Sequence, residues 1–194
     1  MNKCPSVIVL IGVFASVGSL AADELSYSYV QVSDVSHEID DGPEGDGLEL
    51  AAAVEIASQV HLFAGYEEVD LDRDSDATGW SAGLGYHRDL GESTSFFGEV
   101  GLVDVELDSN VGDTSDDGYS AAVGIRGLVG QKGNSSVELT GELAYVDLSD
   151  AGDDTQVSAG VLFNIGKWIG LGVAYTVADE SDSLTAGVRF YWGG

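Results

Sequence analysis

The sequence predicts an all-β protein, an up-and-down antiparallel transmembrane β-barrel of about ten strands. Three observations predict it. After residue 24, segments of roughly ten residues alternate apolar with small or polar side chains, as in Trp80, Ala82, Leu84, Tyr86 against Ser81, Gly83, Gly85, His87. The connections alternate between a short turn and a longer stretch rich in aspartate. The aromatic residues of the greasy parity gather at the two ends of the segments. A soluble strand buries its greasy face under a second layer, and no segment here supplies one. A strand with lipid on one side and a polar lumen on the other needs none.

The first 22 residues read as a secretory signal. Lys3 supplies a positive start, and 7–17 is an apolar run too short to span a bilayer as a helix. Ser19, Leu20 and Ala21 offer the small residues read by a signal peptidase, with cleavage after Ala21 or Ala22. Cys4 is the only cysteine and falls in this segment, so residues 23–194, the barrel domain, hold no thiol and no disulfide framework.

The strands follow in order. The first, 25–35, alternates least clearly, because Tyr27 and Tyr29 oppose Val30 and Val32 in parity; a bulge would reconcile them. The second, 46–57, turns Leu50, Ala52 and Val54 outward, and the third, 60–70, rises to Tyr66 and Val69-Asp70-Leu71. The fourth, 79–88, carries Trp80, Leu84 and Tyr86; the fifth, 94–106, carries Phe96 and Val100 and ends in Val103-Asp104-Val105. The sixth, 118–129, presents Tyr119 and Val123, and the seventh, 135–147, presents Leu139 and Tyr145 before Val146-Asp147-Leu148. The eighth, 155–165, has Val161 and Phe163; the ninth, 168–178, has Trp168, Val173 and Tyr175; the tenth, 183–192, runs Leu184, Ala186, Val188, Phe190, Trp192. Eight strands would remain if two weak segments failed. The outward rings form two belts at headgroup level: Tyr66, Trp80, Tyr119, Tyr145 and Tyr175 at the loop ends, Tyr86, Phe96, Phe163, Trp168 and Trp192 at the turn ends.

Formal charge is −27, from 34 Asp and Glu against 7 Lys and Arg. That excludes a nucleic-acid surface, which needs clustered cations. Such acidity usually marks disorder, yet 44% of the residues are hydrophobic and mean hydropathy is +0.08, so the acid is segregated. Most of it lies in the connections 36–45, 70–78, 107–117, 148–154 and 178–182, while the short turns carry Arg88, Lys132 and Lys167. By the usual barrel polarity the acidic loops face outside the cell. An acidic surface also suits a salt-rich habitat.

Inward parity holds mostly Gly, Ala and Ser with a few charges. Glu49, Glu55, Glu99, Glu138, Glu142, Arg126 and Arg189 share it, and Arg126 lies between Glu99 and Glu138/Glu142 on neighbouring strands. Unpaired charge is costly in a narrow lumen, so an ion-pair network plugging the barrel is expected; a narrow pore gated there would favour cations. Asp70, Asp72, Asp74 and Asp76 form a candidate weak divalent-cation loop, without the glycine and distal glutamate of an EF-hand. No cofactor is expected. Among three histidines, only His37 with Asp40 and Asp41 offers a rim candidate for hydrolysis, and no enzyme is expected.

With its alternating strands and aromatic belts, the chain resembles, over 25–192, the small outer-membrane barrels of Gram-negative bacteria grouped around the OmpA transmembrane domain and OmpX. The resemblance implies a bacterial outer-membrane location and contact with membrane lipid and lipopolysaccharide. It also implies a monomer, and a last strand read by the barrel-assembly machinery. The expected role is structural or interactive at the cell surface. A narrow cation-preferring channel and a secreted soluble acidic β-protein are the alternatives.

Overall fold

A computed structural model describes residues 25–39, 44–71, 75–109, 112–179 and 181–192; the expected signal segment 1–22 lies outside the described residues. The described residues form ten strands: β1 Tyr29–Ile39, β2 Glu44–Ala57, β3 Val60–Leu71, β4 Ser75–Asp89, β5 Thr94–Ser109, β6 Thr114–Lys132, β7 Ser135–Leu148, β8 Gly152–Ile165, β9 Ile169–Val177 and β10 Ser181–Tyr191. Each pairs antiparallel with its chain neighbours, and β1 pairs with β10 to close the barrel. Following direct partners from Ser33 through β2 to β5 arrives at Asp116 on β6. Going the other way, through β10 to β7, arrives at Leu128 on the same strand. That offset is the shear required to close a sheet of tilted strands. Closure leaves no edge and so no unpaired row of backbone groups.

The first strand departs from expectation. It begins at Tyr29, and its pairing with β10 runs without a break from Tyr29↔Tyr191 to Ile39↔Ser181, so there is no bulge. Tyr27 and Tyr29 point into the lumen, 0% and 1% exposed, while Val30 and Val32 face outward. Two tyrosines fit inside because the surrounding wall is rich in small residues. Register shifts fall instead near the turns, between Glu55 and Ala57 and between Val129 and Lys132. Glycines at positive φ close two turns, Gly133 (φ 63°) and Gly166 (φ 67°), a conformation L side chains rarely adopt.

At the loop end the strands overrun the segments expected to be loops. β4 starts at Ser75, β5 continues to Ser109 and β6 starts at Thr114. The repeated Val-Asp-Leu/Val endings explain this, because they keep the period of two. Val69, Leu71, Val103, Val105, Val146 and Leu148 turn inward and pack with Val35 and Ala77 into one buried cluster. The aspartates turn outward. Asp46 stands opposite Asp70, Asp70 opposite Asp76, and Asp76 opposite Asp108, an acidic row on the outer wall.

Candidate functional site: a lumen filled from both ends

The loop end of the lumen is shut by that apolar cluster, with Ile39, Leu107 and Ala151 packed against it. The turn end is shut by polar and aromatic groups. Tyr27 enters from the segment before β1, which is tied down where the Trp192 N–H donates to the Ser28 carbonyl (3.2 Å) and the Glu55 N–H donates to Ser28 Oγ (3.1 Å). Its ring stacks on His87, centroids 3.7 Å apart, and on His61 at 4.7 Å. The Arg126 guanidinium lies 4.6 Å from the same ring centroid on another side. Arg126 donates through Nε and Nη2 to Glu138 Oε1 at 3.1 and 2.9 Å, and both side chains are fully buried. His61 Nε2 sits 2.7 Å from Glu99 Oε1, and Tyr27 Oη is 3.2 Å from Ser95 Oγ.

This packing depends on missing side chains. A Cβ on Gly85 would stand 2.0 Å from His61 Nε2, and one on Gly124 would stand 2.2 Å from the Phe97 ring. Gly85→Ala must therefore push His61 off Glu99. Overpacking of this kind costs about 1–3 kcal/mol. Urea unfolding of the refolded barrel measures it, and a loss no larger than that of an exposed turn variant such as Gly91→Ala would refute the packing.

In the middle of the lumen Arg189 donates from Nε to Gln31 Oε1 (2.8 Å) and from Nη2 to the same oxygen, and lies 4.2 Å from the Tyr29 ring centroid. Gln31 Nε2 donates to Ser33 Oγ at 2.9 Å. Glu49 on β2 faces Glu67 on β3, and His37 Nε2 is 2.9 Å from Glu67 Oε1. Glu142 is buried on the inward face of β7. Glu55 is not part of this set: it is exposed at the turn-end mouth, where the register shift begins.

The ten belt residues face outward; all but the half-buried Tyr145 are exposed. Each of three loop-end tyrosines donates to a carboxylate nearby: Tyr66 to Glu68 (3.2 Å), Tyr119 to Asp147 (2.6 Å) and Tyr175 to Asp182 (2.7 Å). Of the candidate cation loop, Asp70 and Asp76 are exposed and directly opposed, whereas Asp72 and Asp74 lie outside the described residues. Among the described residues no group of three or more His, Cys, Asp or Glu side chains is arranged to hold a metal ion. His37 stands two residues from the loop end of β1 but is buried on the inner wall, and Asp40 and Asp41 lie outside the described residues.

Sequence reasoning missed the apolar cluster, the burial of all three histidines, and Tyr27, Phe63, Phe97 and Tyr191 inside the lumen. Parity could have found most of them. Val69 and Leu71 alternate with Tyr66 and Asp70, and His61 and His87 alternate with Leu62 and Tyr86.

An outer face of exposed Val, Leu and aromatic side chains around a closed, side-chain-filled interior defines the fold of a transmembrane β-barrel. No family model matches the chain, and no curated protein matches it. Solved structures do. The β domain of the Bordetella autotransporter BrkA superposes with a TM-score of 0.53 at 12% identity, covering 86% of this chain and 99% of that one. The KdgM porin gives 0.45 at 14% identity over 84% and 99%, and Neisserial surface protein A gives 0.43 at 15% over 86% and 96%. At these identities the likeness is one of fold, to outer-membrane barrels as an architecture and not to the OmpA and OmpX group in particular.

Proposed function

We propose that this chain is an outer-membrane β-barrel, exported by its N-terminal signal, that works as a monomer through its acidic surface rim and carries no constitutive pore or enzyme activity. The observation behind this reading is the lumen, packed by an apolar cluster at one end and by the Tyr27, His61, His87, Arg126 group at the other. A ten-stranded barrel is only a little wider than the eight-stranded size that side chains fill. The rim carries the chemistry open to partners: the Asp46, Asp70, Asp76, Asp108 row projects just above the loop-end belt, where lipopolysaccharide headgroups sit. During biogenesis the last strand, β10, is the segment offered to the barrel-assembly machinery.

Two measurements test the reading. The purified protein, unheated in SDS, is expected to run as a compact band that shifts on boiling; absence of a shift, with protein recovered soluble, favours the secreted β-protein. In planar bilayers the protein is expected to be silent. Discrete conductance steps that fall on changing Glu99→Gln and Glu142→Gln would replace this reading with the cation-preferring channel.

A further inference from the structure

The lumen is out of electrostatic balance. Its buried carboxylates are Glu49, Glu67, Glu99, Glu138, Glu142 and Asp154, against the buried guanidiniums Arg126 and Arg189; protonating all three buried histidines would still leave an acid excess among the described residues. The imbalance is sharpest at one place. Glu49 is 1% exposed, and neither of its carboxylate oxygens has a hydrogen-bond partner. Directly across the ladder stands Glu67, 3% exposed, with Oε2 also unpartnered. His37 is committed to Glu67 Oε1, and Arg189, the cation that acts on Glu49 through space, directs Nε and Nη2 to Gln31 and leaves Nη1 buried without a partner, so neither cation closes on the idle carboxylate oxygens. Two facing carboxylates with idle oxygens, shut off from water, are a costly arrangement unless something positive lies between them.

We propose that the lumen holds a small monovalent cation, of the sodium or potassium class, between Glu49 and Glu67. The donors are all oxygen: both atoms of Glu49, Oε2 of Glu67, and Oγ of Ser33, which is the direct partner of Glu49 on β1 and is buried. An oxygen-only set selects a hard ion. Too few acidic and histidine ligands converge for a chelated divalent metal, and the four oxygens named are the donor set for a singly charged ion. Gly65, the next inward residue on β3 toward the turn end, adds no side chain of its own, and the nearest group there is another oxygen, Ser81 Oγ, 2.9 Å from where a Cβ would stand. One inward step toward the outer end stand Val35 and Val69 of the apolar cluster, so the ion is occluded from the loop side. The site rests on the barrel fold and is independent of the surface role.

The refolded barrel in neutral detergent is melted, at one pH near neutrality and one ionic strength, in sodium chloride and in tetramethylammonium chloride. Screening of the acidic outer wall responds alike to both salts; an occluded site admits only the small ion. The midpoint is expected to be higher in sodium by about 2–4 °C or more, the shift for roughly 1 kcal/mol of linked binding in a chain of this size. Glu49→Gln should erase that difference, while Asp76→Asn on the outer wall should keep it. Equal midpoints for the natural protein overturn the proposal, as does a difference that survives Glu49→Gln. A midpoint that tracks acid and ignores cation size also overturns it, assigning the pair a shared proton instead. Should Glu49→Gln fail to fold, crystals of the natural protein grown in rubidium chloride decide: an anomalous peak between Glu49 and Glu67 is expected, and its absence sinks the idea.

Discussion

Arg126→Ala is expected to destabilise the barrel by about 3–5 kcal/mol, the usual result of removing one partner from a buried ion pair. Arg126 is fully buried, donates twice to one oxygen of an equally buried Glu138, and holds its guanidinium against the Tyr27 ring. Its loss would leave the Glu138 charge without its donor in a dry interior and remove one support of the Tyr27 plug. The largest part of the cost should therefore be desolvation of the surviving carboxylate. A second variant separates that cost from lost packing: Arg126→Met combined with Glu138→Leu removes both charges and keeps volume, and should recover most of the stability. Urea denaturation of the detergent-refolded barrel, followed by loss of its compact band, gives both numbers. If the double variant is as unstable as Arg126→Ala alone, the pair acts through shape and not through charge.

The strand pattern was legible in the sequence because each wall segment obeys a period of two, and lipid tolerates no lapse on its own side. From 60–70 to 155–165 the expected and observed strands agree to within a few residues at the turn ends. The loop ends were harder. Aspartate reads as loop, and only inward packing of Val69, Leu71, Val103, Val105, Val146 and Leu148 shows why the ladder continues past it. The interior was half legible. Opposite charges on adjacent strands pointed to Arg126 and Glu138, but Glu55, which shares their parity and pairs with the inward His61, is exposed because it stands at the turn-end mouth, where the lumen opens. Tyr27 defeated the pattern for another reason. It precedes the first strand, and its parity against Val30 and Val32 reads as a bulge until the stacking partners His61 and His87 show the ring inside the lumen.

Val100→Arg is expected to cost about 2–4 kcal/mol in a lipid bilayer, the depth-dependent penalty for a cation near the midplane of an outer-membrane barrel. Val100 is 61% exposed on the outer face of β5, four residues from the turn-end ring of Phe96, and beside Leu84 and Ala121 on the adjoining strands. Thr114→Arg, exposed at the loop-end start of β6 beyond the Tyr119 belt, should cost about 0–1 kcal/mol. The comparison is decisive because exposure has opposite meanings in the two solvents. In water, an exposed valine replaced by arginine is nearly neutral, within about 0.5 kcal/mol, and both variants would look alike. In lipid the same exposed valine touches hydrocarbon, and the charge must either leave its hydration behind or drag water inward. Reversible folding into short-chain lipid vesicles reads the difference. A gap of about 2 kcal/mol or more between the two positions means that the apolar wall faces a bilayer. Equal small effects would mean that it is covered by something else, and the exposed valines, leucines and rings of the outer face would then mark a protein interface.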